Sequence, residues 1–309
     1  MTIASMTLLL DVARQHGYAL GYFEAWDQHS LEAALEAAEE ARSPTILGFG
    51  AAVTSQEWLD RGGVEHLASL ARRLSEKAQV PTAVLFNEAR TLRQIQRSLD
   101  SGCNAVMLDS SDLPLEEHVR LTQQVTQLAQ KYGASVEAEL GHLSDAVNPL
   151  SSAVYTDPVQ AATFVGLTGV NALAVSIGNV HLARHDVAAV DLARLAAIHQ
   201  AVAVPLVLHG GSGYPAAAID QAIANGVVKF NVGTRLKFAF LAGLRASLPP
   251  ADQIADIHPF VGSHGARDVI RASMAQVKRD MMELMRLYGS AGQAAETAPA
   301  SPTEQVHAY

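Results

Sequence analysis

The chain has 309 residues, of which 49% are hydrophobic and 17% charged, and its formal net charge is −9. This length can bury one barrel-sized core or two smaller ones, while the acidic charge argues against a nucleic-acid or anionic-membrane partner. The single cysteine excludes an intramolecular disulfide framework. No apolar run reaches the roughly 18 residues that span a bilayer, and no secretory-signal pattern opens the chain, so we expect a cytoplasmic protein with no membrane partner.

Apolar runs alternate with helical patterns along the chain, after a short amphipathic helix predicted at residues 6–17. Each run of about four to eight residues ends at glycine or a polar residue, which is typical of a buried parallel strand. The predicted strands are 18–23, 45–50, 81–85, 105–108, 135–140, 172–177, 204–208 and 227–230. The predicted helices are 30–41, 55–78 with an interruption at Gly62 and Gly63, 91–99, 115–132, 157–166, 190–201, 215–224, 234–247 and 265–288.

Turn residues support several of these boundaries. Ser30 is predicted to cap the helix at 30–41, and Pro158 occupies the first turn of its helix. Gly133 stands where a C-terminal glycine cap is expected.

This succession of strand and helix predicts an α/β fold, a TIM (β/α)₈ barrel. The alternative is an open doubly wound sheet, but no Gly-x-Gly-x-x-Gly follows the first strand and no phosphate-binding lysine motif is present. We assign residues 1–289 to one barrel domain with C-terminal helices. Residues 290–309 are rich in Ala, Pro, Ser, Thr and Gln and are predicted to be a disordered tail.

Ionisable and amide side chains stand at most of the predicted strand ends. Active sites of barrels lie at the carboxyl ends of the strands, so these side chains are expected to converge. Two histidines and several carboxylates are the ingredients of a divalent metal site or an acid/base site. The residues concerned are Glu24, Asn87, Glu88, Asp109, Glu139, His181, His209 and Asn231.

Two glycine-containing turns after the seventh and eighth strands predict a phosphate site. Barrels commonly bind phosphate there, with backbone amides and a helix N-terminus. Each turn alone could be an ordinary solvated loop, but their paired placement favours phosphate binding. The predicted phosphate-binding residues are Gly210, Gly211, Ser212, Asn231, Gly233 and Thr234.

The segments 204–213 and 227–234, with His-Gly-Gly-Ser-Gly followed by Asn-Val-Gly-Thr, resemble the class II (metal-dependent) ketose-bisphosphate aldolases of the fructose- and tagatose-bisphosphate type. Segments 135–141, 156–158, 177–181 and 287–292 are also similar to that family, so the resemblance spans roughly residues 6–293. It implies a metal-dependent lyase that cleaves or forms a carbon–carbon bond in a phosphorylated ketose through an enediolate. It also implies a homodimer or homotetramer.

The chain departs from the family pattern at the residues that matter most. Two of the family's three zinc-binding histidines map onto His181 and His209, whereas the third becomes Glu88. The family's catalytic aspartate becomes Asn87, and the asparagine at the end of the first strand becomes Glu24. Further departures are the Asp109–Asp112 segment, Leu182 after the second histidine, Gly233 before the phosphate-site threonine, and the loop 142–146.

Glu88 can still bind a metal ion. Two histidines and a glutamate form an ordinary catalytic zinc site with an open fourth position, so the resemblance implies Zn²⁺ at Glu88, His181 and His209. The carboxylate also suits Mn²⁺ or Mg²⁺. The alternative is that Glu88 pairs with a nearby cation such as Arg90.

Asn87 changes the expected chemistry, because an amide cannot take up and release a proton at neutral pH. We predict that Glu24 takes over the proton transfer, within a catalytic set that also includes Asn87, Asp109 and Glu139. Weaker candidates are Asp27, Asp112, His142 and His185. Three functions remain open: the lyase, a related metal-dependent isomerase, epimerase or decarboxylase, and a non-catalytic sugar-phosphate binder.

Overall fold

The computed structural model describes residues 3–148, 152–183, 190–250, 252 and 254–295. Eight parallel strands close into a barrel, which confirms the TIM-barrel prediction. In chain order, the strands are β1 Leu20–Phe23, β2 Thr45–Gly50, β3 Thr82–Ala89, β4 Ala105–Leu108, β5 Ser135–Leu140, β6 Ala172–Val175, β7 Leu206–Leu208 and β8 Val227–Val232. Each pairs with its neighbours in sequence, and β8 closes the barrel on β1.

Helices surround the barrel and close its base. They are α1 Met6–His16, α2 Gln28–Ala41, α3 Gln56–Trp58, α4 Val64–Lys77, α5 Leu92–Asp100, α6 Leu115–Gln130, α7 Pro158–Thr168, α8 Leu192–Ala201, α9 Ile219–Ala224, α10 Thr234–Ser247 and α11 Val269–Leu287. A π-helical turn, Leu59–Gly63, joins α3 to α4 where the sequence predicts an interruption. Within the ranges just given for the structure, no helix is both long and apolar enough to cross a membrane.

Apolar side chains of α1 fill the end of the barrel where the strands begin, and polar side chains lie at the end where the strands finish. Met6, Leu9 and Leu10 of α1 are fully buried against the lower interior of the barrel, where Leu20 and Ile46 also pack. Burying each such side chain contributes about 1.5–3 kcal/mol. A second and larger core lies between the outside of the strands and the surrounding helices.

Three predicted boundaries are wrong in informative ways. Helix α2 is capped by Asp27, whose side chain accepts a hydrogen bond from the Ser30 backbone amide, so Ser30 lies inside the first turn. Strand β3 continues to Ala89 and therefore contains Asn87 and Glu88. Residue Ser290, assigned to the tail, is fully buried and hydrogen-bonded to Ser43.

The folded chain therefore extends beyond residue 289. Gln293–Ala295 form a short 3₁₀ helix, while the remainder of the predicted tail, 296–309, lies outside the described residues.

Candidate active site

Three side chains from different strand ends converge in the mouth of the barrel. The potential ligand atoms of Glu88, His181 and His209 all lie within 4.8 Å of one another, as the sequence predicts. The imidazole rings of His181 and His209 are nearly parallel, with centroids 6.0 Å apart. This is the separation and chemistry that one divalent cation requires.

An irregularity in β3 brings Glu88 into this group. The pairing register of β3 with β4 shifts between Phe86 and Ala89, and Glu88 has a φ of 53°. A bulge of this kind redirects a side chain, and the left-handed conformation costs energy for a residue other than glycine. The strained backbone thus places the Glu88 carboxylate 3.2 Å from Nδ1 of His209.

His181 follows β6 on a small additional piece of sheet. Val180–His181 pairs in parallel with Ser144–Asp145, and Nδ1 of His181 lies 3.9 Å from the Asp145 carboxylate. This pairing holds the loops after β5 and β6 together above the barrel, so that His181 faces His209.

The orientation of His209 is fixed from inside the barrel. Its Nε2 lies 2.9 Å from Glu137 Oε1, and the fully buried Lys229 lies 2.9 Å from the other Glu137 oxygen. A proton held on Nε2 by a carboxylate leaves the lone pair on Nδ1 free for a metal ion. Nδ1 makes no hydrogen bond, although it lies 3.0 Å from Glu139 Oε2. This buried nitrogen lies between two carboxylates, an arrangement that fits a divalent cation.

The protonation states agree with this interpretation. Burial raises the pKa of Glu88, but His209 and His181 outweigh it and lower the pKa to about 2, so Glu88 is ionised. Burial lowers the pKa of His209, but its contacts with Glu137, Glu139 and Glu88 outweigh this and raise the pKa well above its usual value. A bound cation would replace the proton that His209 otherwise carries among these carboxylates.

Glu24 follows β1 and lines the same cavity beside the start of α10, where a Cβ added to Gly233 would lie 3.4 Å from Glu24 Oε2. Its Oε1 is 3.1 Å from Nζ of Lys237 in α10. Its carboxylate lies over Gly50, where an added Cβ would be only 3.2 Å from Oε2, and Gly50 pairs in register with Asn87. Burial raises the pKa of Glu24 against the opposing effect of Lys237, as is common for carboxylates that transfer protons in active sites.

Asn87 itself is buried, and its Oδ1 has no hydrogen-bond partner. It lines the cavity together with Glu24, Glu88 and both histidines. A buried and unpaired amide oxygen in a polar cavity needs an external partner, so Asn87 is placed to contact a ligand.

The two glycine-containing turns form one cradle beside these residues. Gly210 has a φ of 69°, and a Cβ there would lie 2.3 Å from the Val180 carbonyl oxygen. A Cβ on Gly211 would lie 2.8 Å from the Asn231 carbonyl oxygen, so the turns touch backbone to backbone. Glycine is needed at Gly210 because a side chain there would push its turn away from the Val180–His181 segment, and at Gly211 because a side chain there would separate the two turns.

The cradle has the chemistry of an anion site. Helix α10 begins at Thr234, and its N-cap Gly233 provides no side-chain cap for the first amides. The Ser212 hydroxyl lies above this helix start, where it accepts a hydrogen bond from the Arg235 amide. Asn231 adds a buried Nδ2 without a partner. The N-terminus of a helix is a common phosphate-binding position in proteins.

Asp109 and Glu139 lie in an adjoining part of the mouth, a cavity of about 250 Å³ that shares Glu88 and His181 with the first. Asp109 pairs with Arg90 at 2.5 Å, so the expected alternative of a Glu88–Arg90 pair does not form. The predicted catalytic residues are thus divided between two sides of the metal-ligand group.

The weaker candidates for proton transfer lie in different settings. Asp27 is occupied as a helix cap. Asp112 and His142 form a pair at 3.0 Å on the rim of the adjoining cavity. His185 lies outside the described residues.

Sequence reasoning missed the functional importance of Glu137, Lys229 and Lys237. Glu137 and Lys229 each stand two residues before a predicted site residue, Glu139 and Asn231, so alternation along a strand places them on the same inner face. Lys237 follows Thr234 by one helical turn, which places both on the same face of α10. These spacings were available in the sequence.

The structure thus combines a closed parallel barrel with a group of possible metal ligands and a turn suited to an anion. The family model described as fructose-bisphosphate aldolase class-II matches residues 4–293. The chain therefore belongs to the class II fructose-bisphosphate aldolase family.

Individual relatives agree. The fructose-bisphosphate aldolase of Geobacillus stearothermophilus is 32% identical over 300 residues, covering 96% of this chain and 100% of the relative. The uncharacterized protein YdjI of Escherichia coli K12 is 34% identical over 287 residues, covering 92% of this chain and 96% of the relative.

Solved structures show the same architecture. The crystal structure of the YdjI aldolase from Escherichia coli K12 matches with a TM-score of 0.78 and 32% identity, covering 94% of this chain and 99% of that one. A crystal structure described as a putative fructose-1,6-biphosphate aldolase from Coccidioides immitis matches with a TM-score of 0.77 and 25% identity, covering 93% and 96%.

Proposed function

We propose that this protein is a metal-dependent lyase that cleaves or forms a carbon–carbon bond in a phosphorylated ketose. The observation that carries the proposal is a single cavity lined by the three ligands Glu88, His181 and His209, by the phosphate cradle and by Glu24, which lies beside Gly233 of that cradle. Family membership supports aldolase-like chemistry on a sugar phosphate in general. The substitutions Asn87 and Glu24 make the residue assignment specific to this chain.

The donor set of two imidazoles and one carboxylate fits Zn²⁺, with Mn²⁺ and Mg²⁺ as alternatives. Such an ion would supply a Lewis acid that stabilises negative charge on the oxygens of the ketose. Glu137 and Lys229 hold His209 in the tautomer that can bind it.

The chain's own residues do the rest of the chemistry. Gly210, Gly211, Ser212, Gly233 and Thr234 bind the phosphate and thereby fix the position of the reacting carbons. Asn231 adds a further hydrogen-bond donor to this group.

In the cleavage direction, Glu24 takes the proton from the hydroxyl on the carbon that becomes the aldehyde. The bond from that carbon to its neighbour breaks, and the electron pair of the bond forms the enediolate, which takes up a proton from water while Glu24 returns its own proton to the resulting hydroxide. Asn87 orients the reacting hydroxyl by hydrogen bonding, because its amide cannot exchange the proton. Glu139 adjoins His209, and Asp109 lines the adjoining cavity.

The replacement of the family's catalytic aspartate by Asn87 favours a second candidate, a metal-dependent isomerase, epimerase or decarboxylase that uses the same site. A coupled assay for dihydroxyacetone phosphate across ketose phosphates, with and without a chelator, separates the possibilities. Chelator-sensitive release supports the lyase. Turnover without a triose phosphate supports the second candidate, and binding without turnover supports a sugar-phosphate binder.

The metal, the assembly and the location are separate proposals. Elemental analysis of the purified protein beside Glu88→Ala identifies the ion. The family resemblance suggests a homodimer or homotetramer, which light scattering tests. The composition of the chain suggests a cytoplasmic location, which cell fractionation tests.

A further inference from the structure

A large apolar cavity opens beside the candidate active site. It has a volume of about 880 Å³ and shares Leu182, Thr234 and Lys237 with the site. Its walls include both tryptophans of the chain, Trp26 and Trp58. A cavity continuous with an active site and lined by large apolar side chains is suited to part of a ligand.

One face of helix α10 connects the phosphate cradle to this cavity. Thr234, Lys237, Phe238 and Leu241 follow the spacing of a single helical face and all line the cavity. The face changes from polar to apolar with distance from the cradle. A molecule whose phosphate lies at Thr234 therefore meets the Glu24–Lys237 pair first and apolar surface beyond it.

The apolar character of the cavity extends to a residue with a strained backbone, Leu182. Leu182 directly follows the metal-ligand candidate His181 and has a φ of 58°. Glycine adopts this conformation freely, whereas a leucine there is strained. The Leu182 side chain borders both parts of the mouth and the apolar cavity, so the strain places a branched apolar group at their junction.

The charges of the cavity do not match a second phosphate. Among its lining residues within the described ranges, Lys237 is the one cationic side chain, and its Nζ is held 3.1 Å from Glu24. Trp58 is 43% exposed, so part of its ring surface can be reached by a ligand.

We propose that the aldehyde half of the substrate carries an uncharged alkyl or aryl group, which binds between Trp26, Trp58, Leu182, Phe238 and Leu241. This inference rests on the proposed lyase function and assigns its substrate class. The substrate is a ketose monophosphate with an apolar end, in place of a ketose bisphosphate. Cleavage yields dihydroxyacetone phosphate and an apolar aldehyde, with the same balance of bonds and protons as above.

The addition direction tests this directly. Dihydroxyacetone phosphate is offered with hexanal, 3-phenylpropanal, glyceraldehyde or glyceraldehyde 3-phosphate, and kcat/KM is measured for each aldehyde. We expect the two apolar aldehydes to exceed glyceraldehyde 3-phosphate by about tenfold or more, because one or two apolar contacts discriminate at that level. Preference for glyceraldehyde 3-phosphate would overturn the proposal.

Phe238→Ser isolates the apolar wall, since Phe238 takes no part in the proposed chemistry. We expect kcat/KM for 3-phenylpropanal to fall about tenfold while that for glyceraldehyde stays within about twofold. Leu248→Ser, at the exposed end of the same helix and outside the cavity, is the matched control. An equal loss for every aldehyde, together with a change in oligomeric mass, would assign the face to a second copy of the chain and overturn the proposal.

Tryptophan fluorescence tests occupancy without turnover, because both tryptophans line the cavity. Titration with 3-phenylpropanol in the presence of inorganic phosphate should give a saturable blue shift that Phe238→Ser weakens about tenfold, whereas glycerol 3-phosphate should give none. If no aldehyde reacts but this shift is seen, the lyase function fails and the apolar subsite stands. If aldehydes react but no shift is seen, the apolar subsite fails and the lyase stands.

Discussion

Glu137 and His209 meet inside the barrel, with Oε1 of the carboxylate 2.9 Å from Nε2 of the imidazole. Burial raises the pKa of Glu137, but Lys229 and His209 outweigh it and hold the pKa below its usual value, so the carboxylate stays charged. The pair thus determines which nitrogen of His209 faces the mouth. Because Glu137 contacts the side of the His209 ring that faces the barrel interior, it orients this ring within the candidate metal site.

Glu137→Gln is expected to weaken metal binding about 10–100-fold, the range typical of losing a carboxylate that orients a metal-binding histidine. The measurement is competition for Zn²⁺ against a chromophoric chelator. Glu65→Gln, which breaks an ion pair with Arg97 on the helical surface, is the control and should leave the affinity unchanged. Unaltered affinity in Glu137→Gln would show that His209 is oriented by other contacts.

Glu88 gives a second prediction. Glu88→Ala should abolish stoichiometric metal binding, whereas Glu88→His should retain it, because histidine is a metal ligand and tolerates a left-handed backbone better than most residues. Elemental analysis after dialysis checks both variants. Metal retained by Glu88→Ala would exclude Glu88 as a ligand.

Metal affinity should also depend on pH. The metal-free His209 has a pKa raised well above its usual value, so a cation must displace a proton to bind. Apparent affinity is therefore expected to rise as the pH increases through the neutral range. Calorimetry in buffers of different ionisation enthalpy should show proton release on binding, and its absence would contradict the assigned protonation state.

Gly210 tests the phosphate cradle. Gly210→Ala combines strain at a φ of 69° with a Cβ placed 2.3 Å from the Val180 carbonyl oxygen. Gly17→Ala is a matched control, since its φ is 70° and no atom lies within 4 Å of the added Cβ. We expect both to lose about 1 kcal/mol of stability from the backbone conformation.

The two variants should differ in function. Only Gly210→Ala should push its turn away from the Val180–His181 segment and raise the KM for a ketose phosphate, by about tenfold or more, as expected for a misplaced binding turn. Thermal unfolding and steady-state kinetics are measured on both. Equal kinetics in the two variants would remove Gly210 from the phosphate site.

The barrel was predictable because parallel strands buried on both faces are continuous apolar runs, and the polar side chains at their ends stand out. The grouping of Glu88, His181 and His209 followed from the resemblance together with the shared end of the barrel. The Asp109–Arg90 pair did not follow, because both side chains belong to loops whose separation depends on how the barrel closes. The bulge at Glu88 likewise depends on the register between neighbouring strands, which a single strand's pattern does not contain.

Glu24 and Lys237 provide the last prediction. Burial raises the pKa of Glu24, and Lys237 lowers it, while Glu88 adds to the increase. Glu24 must be ionised to accept a proton, so activity should fall as the pH drops through its pKa. Lys237→Met removes the opposing cation and should move the acidic limb of the kcat/KM profile to higher pH, whereas Lys237→Arg should leave the limb near its original position.

Glu24→Gln should reduce kcat at least about 100-fold, the lower end of what general acid–base catalysis contributes, with little change in the binding of inorganic phosphate. The double variant Glu24→Asn with Asn87→Asp restores the arrangement of the family and should recover part of the activity, since the carboxylate returns at the neighbouring position across Gly50. Full activity in Glu24→Gln would exclude Glu24 as the proton acceptor. Recovery in the double variant would show that the site needs one carboxylate at either position.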